Sequence, residues 1–385
     1  MGRCVVIGLL TWAMIGVGCR QNESVVEPVA DRVAESVDVP VAAARAELSA
    51  EQKAAIERMQ AAGAGVERDG AGFPVRIDLA SERVFADEDL VRAALLFANL
   101  KSLRLAVSSV PQATLAKLAL LADLEELFLQ DAAIDDAGLG TLLVAMPRLE
   151  RLSLRRLNDV TDDALSAVAR CKSIEVVALI EMNQVTGVGL ARLAGLPRLR
   201  SLDLRSCGRL AVEDFQCLAE FKTLVELKLG GPAVNNEIAT VLLNLPHLRS
   251  LTIEDAEISA AFLDKLSSDK AAAERLQTLA FARCFGITDE ALTSIDRLPN
   301  LETLSVRDMM VSGQFLTTLS EAGSGPLALK SLTAVNAFLD DAAIGHLPTI
   351  APRLERLDLR GNPGITDASE PTLEKLRNLK DVKLE

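Results

Sequence analysis

Acids that stand together are the first residues here that could do chemistry. Asp162 and Asp163 are adjacent, as are Asp289 and Glu290, and Asp341 and Asp367 follow Asp340 and Thr366. Paired carboxylates can act as general acid and base or hold a cation. Yet these groups recur beside a repeated residue type: Thr161, Thr186, Asn235, Ser259, Thr288, Ser312, Asp340 and Thr366. Those are preferred N-cap residues, and acids just behind a cap are stabilised by the positive end of a helix. Recurrence at successive helix starts reads as capping, not catalysis.

Other reactive groups are sparse. The chain has two histidines, His247 and His346. They fall in separate repeat units, on the order of 20 Å apart at the spacing of stacked strands, too far to share a metal or act as a pair. No glycine-rich phosphate loop, GxSxG, HExxH or CxxC motif occurs. The expectation is a protein that is not an enzyme, with no catalytic residue, metal or cofactor.

The caps belong to a longer pattern. Leu149, Leu152 and Leu154 open one block, and Ile174, Val177 and Leu179 open the next at the same places. Units begin at Pro74, Leu100, Leu124, Leu149, Ile174, Leu199, Leu224, Leu248, Leu276, Leu301, Leu329, Leu354 and Leu379, the last truncated. The fourth and sixth residues of each unit share one side of a strand, because side chains alternate. A helical run follows the cap. Units starting at Leu248 and Leu301 are longer, with extra residues in Ser267–Arg275 and Ser320–Ala328 read as longer loops.

The motifs Leu202–Leu210, Leu279–Leu292 and Leu357–Ser369 resemble the LxxLxLxxCxxITDxxLxxL type of the leucine-rich repeat family. The resemblance implies an α/β horseshoe, with parallel strands on the concave face and helices on the convex face, over residues 73–385. Cys207 and Cys284 fall at the ninth place, where the family uses Cys or Asn to bond the turn after the strand. Cys171 and Cys217 read as small core residues too.

The front end differs. Residues 1–19 join Arg3 to an apolar run and small residues around Cys19. This is the shape of a secretory signal, and it resembles a bacterial lipoprotein signal that would make Cys19 the lipidation site. Gly16 stands where a branched aliphatic residue is usual. Ordinary cleavage and an uncleaved anchor are the alternatives. Residues 20–40 read as a disordered tether. Residues 41–72 read as an N-terminal capping helix, with Ser49 and Gln52 as a capping box, followed by a turn at Arg68–Gly70.

Acids exceed bases by 13, which excludes the basic field that nucleic acid binding requires. The third, fifth and seventh places should face the concave side. There Arg151, Arg155 and Arg156 adjoin Val176, Ala178 and Ile180, with Phe128 before and Asp203 and Arg205 after. Arginine beside exposed aliphatic surface suits a protein contact. Arg307, Arg356, Asp358 and Arg360 form a second cluster. Charged Asp381, Lys383 and Glu385 mark a final strand that could remain an edge, self-associate or be covered by a partner.

The expected function is a scaffold binding an unknown protein or peptide at the bacterial cell envelope, exported and held to the membrane by its lipid anchor. Three rivals are a structural envelope protein, a substrate-recognition subunit like the F-box leucine-rich repeat proteins, and an enzyme, which would need a convergent polar pocket that the sequence does not reveal. Residues 20–72 are small and polar for the adaptor-binding module such a subunit needs.

Overall fold

The structure is a computed structural model that describes residues 47–384 except 82 and 83. The signal at 1–19, with Cys19, the tether at 20–40 and the start of the 41–72 segment lie outside the described residues.

A 14-stranded sheet runs in strict sequence order. Its first strand, β1 (Gly65–Arg68), pairs antiparallel with β2 (Pro74–Leu79). From β2 onward every pairing is parallel, one strand per repeat. The register is even: Leu127, Leu152, Val177 and Leu202 lie side by side. That ladder follows from the LxxLxL spacing. The fourth and sixth places are hidden, with Leu152 at 1%, and Leu154, Val177 and Leu179 at 0%, exposed. Each such side chain contributes roughly 1.5–3 kcal/mol, but only once both neighbours cover it.

The helical layer closes the other side. Its segments are short, and several are 3-10 turns, as at Val212–Glu220 and Thr293–Arg297. Five phenylalanines are fully buried in the core: Phe215, Phe221, Phe262, Phe281 and Phe315. Phe262 meets Phe281 edge-on at 6.4 Å.

At the N-terminal end the helix Ala50–Ala61 starts at Ser49, whose hydroxyl accepts the Gln52 N–H while the Gln52 side chain accepts the Ser49 N–H. It buries Ala55, Ile56 and Met59, and Gln52 donates to the Leu96 carbonyl at 3.1 Å. The sequence pattern did not reveal β1. GVER has one half-buried residue, Val66, which packs against the core, too little for an alternating pattern to show.

Two other expectations need correcting. Ser267–Arg275 is not a loop: Asp269 caps a helix over Lys270–Arg275. Arg275 then donates to the carbonyls of Leu242 and Leu243, at 2.9 and 3.3 Å, groups a helix end leaves without partners. The caps are also less uniform than their spacing. Thr161, Thr186, Asp340 and Thr366 accept from their own helix. Ser259 and Thr288 start helices without doing so. Asn235 and Ser312 accept the N–H groups of Glu237 and Gln314, although their helices begin only at Ile238 and Gln314.

Candidate functional site

The first predicted cluster sits on the solvent face of the sheet. Arg151 pairs in register with Val176 and Arg155 with Ile180, and Val176, Ala178 and Ile180 are half-buried. Arg151 is exposed. The other members are engaged by neighbours. Arg155 donates to Glu181 at 2.7 and 2.9 Å. Arg156 grips Asp131 through two bonds of 2.7 and 2.9 Å and also reaches Glu181. Phe128 is 8% exposed, because the Arg104 guanidinium lies 4.3 Å over its ring. Asp203 is 7% exposed, held by Arg205 through its Nε and Nη2. The aliphatic strip is available to a partner, whereas Phe128 and Asp203 are largely covered.

The second cluster does not act as one group. Asp358 and Arg360 repeat the Asp203–Arg205 arrangement, with bonds of 2.9 and 2.7 Å. Arg307 and Arg356 stand exposed on separate strands.

The eighth place of the repeat explains the engagement. Asp131, Arg156, Glu181, Ser206, Asp255, Arg283, Asp308 and Asn336 all have positive φ, from 48° to 60°. Glycines take this conformation at Gly231 and Gly361. Each residue turns the chain out of its strand, and its N–H bonds the seventh carbonyl of the next repeat, as Asp131 to Arg155 and Arg283 to Arg307, both 3.1 Å. Side chains in this column therefore stack on one another. Beyond Asp131–Arg156–Glu181 a longer network runs Asp203–Arg205–Glu254–Arg283–Asp308–Asn336. Gly230 permits one of its links: Arg205 crosses that repeat to reach Glu254, and a Cβ on Gly230 would lie 3.3 Å from the Arg205 Cγ.

Charge follows the bonds. Hydrogen bonds from Arg156 hold the Asp131 carboxyl below the usual range, and Arg283 does the same for Asp255. Burial would raise Glu181, but the bonds from Arg155 and Arg156 outweigh it, leaving its carboxyl lowered.

The strongest exposed feature lies two places further on. Phe285, Met310 and Phe338 occupy the tenth place of three consecutive repeats and are 64%, 67% and 60% exposed. Their strands pair in register, so the three stand on successive rungs about 4.8 Å apart at the sheet. Arg283, Asp308 and Asn336 of the charge network border them two residues earlier. The LxxLxL pattern does not mark this row, because the tenth place lies beyond the strand. The signal was there: the same place holds Asn158, Asn183, Gly208 and Ala233 in the preceding repeats.

The remaining reactive groups are structural. The Cys207 thiol donates to the Leu179 carbonyl at 3.0 Å, and Cys284 to the carbonyls of Ile253 and Ala282. Cys171 and Cys217, expected as core residues, are half-buried and pack against the core from its border. Among the described residues no group of His, Cys, Asp or Glu could hold a metal ion, and no helix is long and apolar enough to cross a membrane.

No protein-family model matches the chain. Among solved structures, Rad7 in its yeast complex with Elc1 aligns over 72% of this chain and 74% of its own, at 18% identity and a TM-score of 0.53. An internalin of Listeria monocytogenes aligns over 87% and 95%, at 18% identity and a TM-score of 0.44. TLR13 in complex with ssRNA13 aligns over 75% and 40%, at 20% identity and 0.48. The likeness to Rad7 supports the α/β leucine-rich repeat solenoid, and it extends no further than the fold.

Proposed function

We propose that this leucine-rich repeat solenoid is a non-enzymatic scaffold that holds a protein or peptide partner against the C-terminal rim of its strands. The observation that carries the proposal is the exposed row Phe285–Met310–Phe338. Aromatic residues and Met are enriched where proteins meet, inside a polar border. Three large apolar side chains in line form a patch of the kind that marks an interaction site. The bordering Arg283, Asp308 and Asn336 are already bonded to one another, so little further side-chain freedom is lost on binding.

A second reading uses the strip Val176–Ala178–Ile180, which Arg151 and Arg155 frame. Its support is the outward placement of those aliphatics on the sheet. The two readings separate by mutation. Serine at Phe285, Met310 and Phe338 should abolish capture of a partner from envelope fractions while Ile180→Ala leaves it intact; the reverse pattern moves the contact to the strip.

The setting is proposed on the N-terminal sequence. Arg3, the apolar run and Cys19 support export and acylation at Cys19, which would place the scaffold at a bacterial envelope. Acylation with more than one chain would give a stable anchor. An intact mass of the protein recovered from membranes tests this, with cleavage before Cys19 and added acyl mass expected. The substrate-receptor alternative is kept because Rad7, a fold neighbour, was solved bound to Elc1. A mature protein that retains its N-terminus and remains in the soluble fraction would favour that alternative.

A further inference from the structure

The opposite rim of the sheet, where the strands begin, departs from its own charge pattern at one place. The second residues of the repeats form a column there, tied by backbone bonds from Arg200 to Glu175, Val225 to Arg200, Arg249 to Val225 and Gln277 to Arg249, each 2.8 or 2.9 Å. Elsewhere in this column a cation meets an acid one repeat away: Lys101 with Glu125, Lys330 with Glu302, and Lys380 with Glu355. Arg200 and Arg249 break the rule. Val225 lies between them, Gln277 lies beyond Arg249, and Glu175 is taken by Arg198. Both arginines are exposed and have no ion-pair partner among the described residues.

These side chains line a groove of about 540 Å³ together with Arg198, His247 and Glu175. Val225 forms an apolar stretch of floor, and Thr223 is fixed at its edge by its hydroxyl bond to the Leu199 carbonyl, 2.6 Å. Two repeats separate Arg200 from Arg249, roughly 10 Å at strand spacing. Alternate side chains of an extended chain lie about 7 Å apart and every third about 10 Å, a range that two long, flexible arginine side chains can meet.

We propose that this groove binds an acidic peptide segment, with carboxylates on Arg200 and Arg249 and the intervening residue over Val225. Uncompensated arginines in a concave site favour carboxylates through paired, charge-assisted bonds. A nucleic acid fits less well. The basic patch spans three repeats in a chain with net charge −13, Glu175 stands in its wall, and no Phe or Trp lines it to stack a base. The site is independent of the Phe285 row, which lies at the other end of the strands.

Fluorescence anisotropy of the full chain with a labelled Glu-Ser repeat peptide tests this. Saturable binding is expected, absent for the Gln-Ser analogue and weakened about tenfold in Arg200→Ala/Arg249→Ala. The Arg200→Lys/Arg249→Lys variant should keep most of it, and Lys101→Ala/Lys330→Ala, in paired positions of the same column, should keep all of it. Serine at Phe285, Met310 and Phe338 should not affect it. No saturable binding, equal binding of the Gln-Ser peptide, or an equal loss in the lysine control would each overturn the proposal. So would tighter, Arg200-dependent binding of labelled oligouridylate, which would assign the groove to nucleic acid.

Discussion

The Asp162 carboxylate accepts both the N–H and the hydroxyl of Thr186, one repeat on, at 2.8 and 2.6 Å. Thr186 in turn accepts the Val188 N–H to start its own helix. The same clamp joins Asp136 to Thr161, Asp289 to Ser312, and Asp341 to Thr366. Of the acids that could have suggested catalysis, Asp162, Asp289 and Asp341 therefore tie a repeat to its successor, and the cap residue they hold serves two repeats at once.

Breaking a clamp should cost stability out of proportion to its exposure. Asp162→Ala should destabilise by about 1.5–3 kcal/mol, the range for hydrogen bonds to a charged group. Asp163→Ala, whose side chain is 81% exposed, should stay within about 0.5 kcal/mol. Urea unfolding of Asp162→Ala, Thr186→Val and the double variant should give a coupling above about 0.5 kcal/mol. Strict additivity would show that the two residues act separately.

The clamp also explains a glycine. A Cβ on Gly189 would lie 2.2 Å from the Asp162 carboxylate oxygen. Gly189→Ala should therefore cost about 1–3 kcal/mol as an overpacked site, despite alanine's better helix propensity. Much of that loss should vanish in an Asp162→Ala background. Equal losses in both backgrounds, read from urea midpoints, would assign the strain to another neighbour.

How much of this could be read beforehand follows from the range of each interaction. The strands and hidden aliphatics were legible because LxxLxL is a local pattern and each Leu need only reach its neighbour's Leu. The helix starts were partly legible, since a cap acts within its own turn. The Asp162–Thr186 clamp joins residues 24 apart in sequence, and becomes visible only once the repeats are stacked. Arg155 and Arg156 read as free binding groups because the left-handed turn that brings Glu181 and Asp131 beside them has no fixed residue type: Asp, Arg, Glu, Ser and Asn all adopt it. The Phe285 row needed the tenth places compared down the column, not along the chain.

Acid should weaken the C-terminal rim. The Asp131 carboxyl, normally 3.8, is lowered by Arg156, and Glu181, normally 4.5, is lowered in spite of burial. A carboxyl lowered in the fold contributes stability that is complete above its unfolded value and lost as pH falls through its folded value. Wild type should therefore exceed Arg156→Gln by up to about 1 kcal/mol at neutral pH, the limit for partly exposed pairs. The difference should shrink once pH drops below about 4. A gap in urea midpoint that stays constant to pH 2 would contradict this.

Thiol reactivity should follow the turn bonds. Burial pushes the Cys207 thiol up to about 11 and also raises Cys284, and both thiols donate to backbone carbonyls. Neither should be labelled by a maleimide at neutral pH until urea is added, with peptide mass locating the label. Cys217 is also pushed up to about 11 by burial, but it is half-exposed and should label slowly in the native protein. Native labelling of Cys284 as fast as in urea would mean that the turn opens freely.

Docking of a partner protein on the row formed by Phe285, Met310 and Phe338 is the proposed function. Its most direct test is a photo-crosslinking amino acid at Met310, compared with one at Val144, an equally exposed apolar position on the helical side. Illumination in cells should yield a discrete heteromeric adduct from position 310 that Phe285→Ser/Phe338→Ser abolishes, and none from position 144. Identical adducts at both positions, or an adduct at 310 that survives the two serines, would contradict it.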